Sequence, residues 1–120
     1  MRIALIKEHI TTIEKSMQEI QKLSKEPEKN YNQLVRWIMN KEEHARKIQD
    51  IVSQYFLHQR INIPKEDAGD AEFEKYSKQL SLLHKILVFS MKAKQTTDLS
   101  YIKKLRQTVV IFEELYFHKH

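Results

Sequence analysis

Apolar residues recur at alternating steps of three and four through the start of the chain: Ile3, Ile6, Ile10, Ile13, Met17 and Ile20, with Leu23 beside them. That spacing keeps every one of them on a single helical face, the seam of a heptad. It predicts a first helix over about 2–25. The following KEPEKN segment carries Pro27 and ends it, because proline lacks the helical N–H donor and pushes the residue before it out of helical geometry. Asn30 is placed to cap the next helix.

The same periodicity predicts three more helices. Tyr31, Leu34, Ile38, Ala45, Ile48, Val52 and Tyr55 form the seam of a second, over 31–57, interrupted by Lys41. Periodicity lapses from His58 to Gly69, the one long loop, where Ile61 and Ile63 alternate with polar residues up to Pro64. Asp70 can cap a third helix, over 70–95, with Phe73, Tyr76, Leu80, Leu83 and Leu87 as its seam. Thr97 or Asp98 can cap a fourth, over 98–117, carrying Ile102, Leu105, Val109, Phe112 and Tyr116. Short connections at 24–30 and 95–98 make neighbours antiparallel. The predicted fold is all-α, a single up-down-up-down four-helix bundle over residues 1–120, with no internal repeat.

One segment departs from the single-stripe pattern. Leu80 to Met91, LSLLHKILVFSM, is apolar on nearly every side, and the fourth helix has Val110, Ile111 and Leu115 beyond its seam. Twelve residues fall short of the roughly 20 needed to cross a bilayer, so protein is the expected cover and no membrane partner is implied. Either the loop around Ile61, Ile63 and Pro64 folds over this surface, or Leu82, Ile86, Phe89, Val110 and Ile111 form an interface with a partner protein or in a homo-oligomer, most simply a dimer.

Composition narrows the chemistry. The chain has no cysteine, which excludes disulfides, thiolate metal sites and a thiol nucleophile and fits a cytoplasmic protein. MRIALIKEHI holds no apolar run of signal-peptide length and reads as the start of a helix. A single glycine excludes a phosphate-cradling loop, and no serine sits in a nucleophile motif. The net charge of +5 is spread thinly, apart from Lys92, Lys94, Lys103, Lys104 and Arg106 around the last turn, a footprint that suits the phosphates of a nucleic acid.

Six histidines raise the question of a metal. Counted outward from the loops, His9, His44, His84 and Glu113 fall at similar heights. In heptad terms His9 and His44 take g positions, which face each other, while His84 and Glu113 take e positions and face elsewhere, so the four do not converge. His118 and His120, in the terminal HKH, suit only adventitious metal binding. Arg2 and His9 have the spacing of an R-x6-H nuclease pattern, too common in so basic a chain to carry weight. The adjacent carboxylates Glu42 and Glu43, like Glu113 and Glu114, point about 100° apart on a helix and make no acid/base pair. Trp37 reads as packing beside the seam, and Lys41 is expected to reach outward towards Glu14. Taken together, the residues imply no cofactor and no catalysis, and a protein that works through association with other proteins. A nucleic-acid-binding accessory protein and a metal-binding bundle are the alternatives.

Overall fold

A computed structural model describes residues 1–118 as four helices: α1 (Arg2–Leu23), α2 (Tyr31–Asp50), α3 (Asp70–Gln95) and α4 (Ser100–Tyr116), with a π-helical segment, Ile51–Arg60, continuing α2. α1 packs on α2 and α4, and α3 packs on the same two, so the helices form a closed ring of four antiparallel neighbours. Among the described residues no helix is long and apolar enough to cross a membrane. His120 lies outside the described residues.

The α1 seam is as the periodicity predicts, since Ile3, Ile6, Ile10, Ile13, Met17 and Ile20 are all buried. In α4 the buried residues are Ile102, Leu105, Thr108, Val109 and Phe112. In α3 the seam is rotated from the predicted one. Gln79, Leu83, Ile86, Ser90 and Ala93 are buried, while Phe73 is 40% exposed and Tyr76, Leu80 and Leu87 are only half-buried. Two polar residues sit where the hydrophobic pattern left gaps. Much of the apparent apolar surplus of α3 follows from this rotation, because Leu82, Leu87 and Phe89 flank the true seam and pack against the core.

The two hairpins are unequal. Gln21 Nε2 donates to the carbonyl of Thr97 at 2.7 Å, and Lys41 Nζ donates to the carbonyls of Lys94 and Thr96, each at 2.8 Å. The α3–α4 turn thus lies level with Gln21 and Lys41, and the tip of the α1–α2 hairpin projects past it along a molecule 63 Å long. That overhang leaves Tyr31, Val35, Ile38 and Met39 exposed, although Tyr31 and Ile38 belong to the predicted seam. Lys41 does not reach outward to Glu14. It is 4% exposed and turns into the end of the bundle, where burial lowers its pKa, while Glu14 is taken by Arg106.

The caps also differ from expectation. Asn30 turns its side chain back to the carbonyl of Glu26 at 3.1 Å and caps nothing ahead of it. Gly69 precedes α3, leaving Asp70 and Glu72 in its first turn, where negative charge suits the helix dipole. Asp98 Oδ1 accepts the Ser100 N–H at 2.9 Å at the entry to α4.

From Ile51 the backbone widens to i→i+5 bonding, and it closes with the Ile61 N–H on the Phe56 carbonyl at 2.8 Å. Tyr55 and Arg60, about 140° apart on an α-helix, stack one turn above the other here. Phe56 is buried edge-on to Phe112 and Tyr116, with centroids 5.1 and 5.3 Å away. The 61–69 loop packs Ile61 on the core but lies beside the first turns of α3, against Glu72, Lys75 and Tyr76, and leaves Ile63 80% exposed. It does not cover the Leu82–Phe89 face.

Candidate metal centre

The heptad register that seats Ile6, Ile10 and Ile13 in the core carries His9 along the flank of α1, and that of Ala45 and Ile48 carries His44 along the flank of α2. The two rings meet with Nδ1 to Nδ1 at 2.8 Å and centroids 5.0 Å apart. That centroid distance is nearly the largest that a 2.8 Å N···N contact allows, so the nitrogens point head-on at one another. One ring donates its Nδ1–H, and the other accepts on Nδ1 and carries its own proton on Nε2.

Burial lowers the pKa of both imidazoles, helped at His9 by the neighbouring His44 and at both by Lys47. Glu8 opposes the shift at His9 and Glu43 opposes it at His44. Neutral rings follow from this, and they can do two things. A proton taken up on the free Nε2 of the donor ring can pass through the Nδ1···Nδ1 bond and leave from Nε2 of the acceptor ring, a two-ring proton wire. The same free Nε2 is also a metal ligand whose far nitrogen is already oriented by a hydrogen bond, as ligating imidazoles usually are.

The other sequence candidates stand apart. Glu113 is engaged by Lys7 Nζ at 2.6 Å, and His84 is exposed on α3. Among the described residues no group of three or more histidine, aspartate or glutamate side chains gathers into a metal-binding cluster. Arg2, lying over Tyr55, does not join His9 in a nuclease pair. Of the proposed interface, Ile86 is fully buried within the chain's own core, which removes it from any surface, and Leu82 and Phe89 pack against that core; Val110 and Ile111 are exposed. The basic cluster is partly spent at home. Arg106 forks onto Glu14 at 2.8 and 3.0 Å, and Lys104 lies over the Tyr101 ring at 4.9 Å. Lys92 and Lys103 remain exposed, and Lys94 is half-buried.

The family model of nickel-containing superoxide dismutase matches the chain over residues 1–120. The chain belongs to the nickel-containing superoxide dismutase family. No curated protein and no solved structure matches it. The family overturns the expectation of a non-catalytic bundle that works through protein association, since its name is that of a metal-containing enzyme. Sequence reasoning missed this because the chain carries none of the motifs that announce a metal, and its paired imidazoles sit 35 residues apart on different helices.

Nickel can be tested against the donors present. Imidazole suits nickel, and two imidazole nitrogens each about 2.0–2.1 Å from one metal at a right angle would lie about 2.9 Å apart, close to the separation of the His9 and His44 Nδ1 atoms. The lone pairs do not converge, however, and the Nδ1 atoms share a proton that a metal between them would have to displace. Among the described residues no third ligand stands near, and the absence of cysteine denies the family's metal the soft thiolate donors that proteins otherwise offer. The described residues therefore do not compose a nickel redox centre by themselves.

Proposed function

We propose that this chain is a metal-dependent enzyme acting on superoxide, and that His9 and His44 serve it as a proton relay. The match of the family model over the full 120 residues carries this reading. The imidazole pair supports it from the chain's own geometry, as two neutral rings with one orienting the other. Removing superoxide as dioxygen and hydrogen peroxide consumes two protons for every two superoxide ions, and a two-ring proton wire is the described element suited to deliver them.

The test uses the untagged full chain, incubated with Ni(II), freed of excess metal and assayed for bound nickel and for superoxide consumption against free nickel at the same concentration. Retained nickel with activity above the free ion, the activity falling in His9→Gln and His44→Gln, is the expected result. A chain that keeps no nickel and consumes no superoxide overturns the reading.

A further inference from the structure

At the end of the bundle where α1 begins and α4 finishes lies a cavity of about 150 Å³, with Arg2, Tyr55, Phe56, Arg60, Tyr116 and Phe117 among its lining residues. The inner wall is apolar, formed by the buried Phe56 and the rings of Tyr116 and Phe117, whose centroids are 5.1 Å apart. The rim is cationic. The Arg2 guanidinium lies 4.4 Å from the centroid of the Tyr55 ring, the Arg60 guanidinium lies 5.9 Å from the same centroid, and Arg60 Nε donates to the Tyr116 hydroxyl at 3.0 Å.

Every polar side-chain group facing this space can donate, the two guanidinium groups and the Tyr55 and Tyr116 hydroxyls alike. The Tyr116 oxygen, having accepted from Arg60, leaves its own O–H to donate, and each guanidinium keeps N–H groups beyond those described. Among the described residues neither Arg2 nor Arg60 pairs with a carboxylate, and the first turn of α1 has no acidic residue. Two cations share one aromatic ring, with no carboxylate of the described residues paired to either. The π-helical register creates this arrangement, because an α-helical turn would swing Arg60 away from Tyr55.

We propose that this cavity binds a small oxyanion of the carboxylate or nitrate type, held between the guanidinium groups of Arg2 and Arg60 and by the Tyr116 O–H. Planar guanidinium groups recognise planar oxyanions by paired N–H···O bonds. The volume admits an anion of a few atoms and no nucleotide. The proposal is independent of the metal reading, since it rests on other residues.

The experiment follows the Arg2 and Arg60 Nε–H signals of the full chain by NMR during titration with sodium formate and sodium nitrate, at constant ionic strength set with sodium chloride. Both signals are expected to move together along one saturating curve. Arg60→Gln and Arg2→Gln should each weaken binding by about tenfold, as loss of a charge-assisted hydrogen bond does. Tyr116→Phe, which keeps the ring and the packing, should weaken it severalfold. Shifts that rise linearly without saturation, or a curve unchanged in both Arg60→Gln and Tyr116→Phe with helical content intact, overturn the proposal.

Discussion

The ammonium of Lys41, in α2, lies 2.8 Å from the carbonyl oxygen of Thr96, the residue that ends α3, and as close to that of Lys94. The last carbonyls of a helix have no partner within it, and a cation there also meets the negative end of the helix dipole. One buried side chain therefore ties the α1–α2 hairpin to the end of α3. Lys41→Met keeps most of the stem and removes the donors, and it should cost about 1.5–3 kcal/mol, the usual worth of a hydrogen bond to a charged group. Urea unfolding would show a lower midpoint at unchanged slope; an unchanged midpoint would mean that water replaces the ammonium without loss.

The His9–His44 pair sets a pH dependence whose sign follows from burial. Both folded pKa values lie below the ordinary 6.5, so between the folded value and 6.5 the unfolded chain binds more protons than the folded one. Stability then rises with pH through that window: the contribution is complete above about 6.5 and is lost as the pH falls below it. Urea midpoints should drop more between pH 7.5 and pH 5 for the natural chain than for the double variant His9→Gln/His44→Gln. Parallel drops would detach the pair from acid sensitivity.

The fork of Arg106 onto Glu14 ties α4 to α1 and holds the Glu14 carboxyl below its ordinary pKa, mainly through the hydrogen bond. Both side chains are still about a third or more exposed, so solvent screens the pair. A double-mutant cycle with Glu14→Gln and Arg106→Gln should give a coupling of about 0.2–1 kcal/mol. A coupling of several kcal/mol would show the pair to be effectively buried.

The four helices were legible because α1 and α4 wear their seams openly, and Ile3 to Ile20 and Ile102 to Phe112 needed only periodicity. The meeting of His9 and His44 followed from register alone. The α3 seam did not, because Gln79 and Ser90 occupy buried positions that a hydrophobic pattern assigns to solvent. The direction of Lys41 depends on the offset between two hairpins, a tertiary quantity that no local spacing encodes. The π register was equally hidden: Ile51–Arg60 contains neither proline nor glycine, and with it went the placement of Arg60 beside Tyr55. The family was beyond the motifs, since a cysteine-free chain with scattered histidines gives a metal no local signature.

Ser90 is the one described residue with a fully buried side-chain oxygen and no hydrogen-bond partner. Its position in the α3 seam is fully buried, yet its hydroxyl does not fold back onto its own helix as the two other buried hydroxyls do. Ser16 donates to the Thr12 carbonyl at 2.9 Å and Thr108 to the Lys104 carbonyl at 2.7 Å. A hydroxyl stripped of water without compensation is unfavourable, and alanine is also the better helix former. Ser90→Ala removes one atom from a tight place, and the small cavity it leaves offsets only part of the gain. The variant should therefore be more stable by about 0.5–2 kcal/mol, seen as a melting temperature several degrees higher. A lower melting temperature would mean that the Ser90 hydroxyl is bonded in solution, and a return onto the Ile86 carbonyl like that of Ser16 onto Thr12 is then the bond to look for.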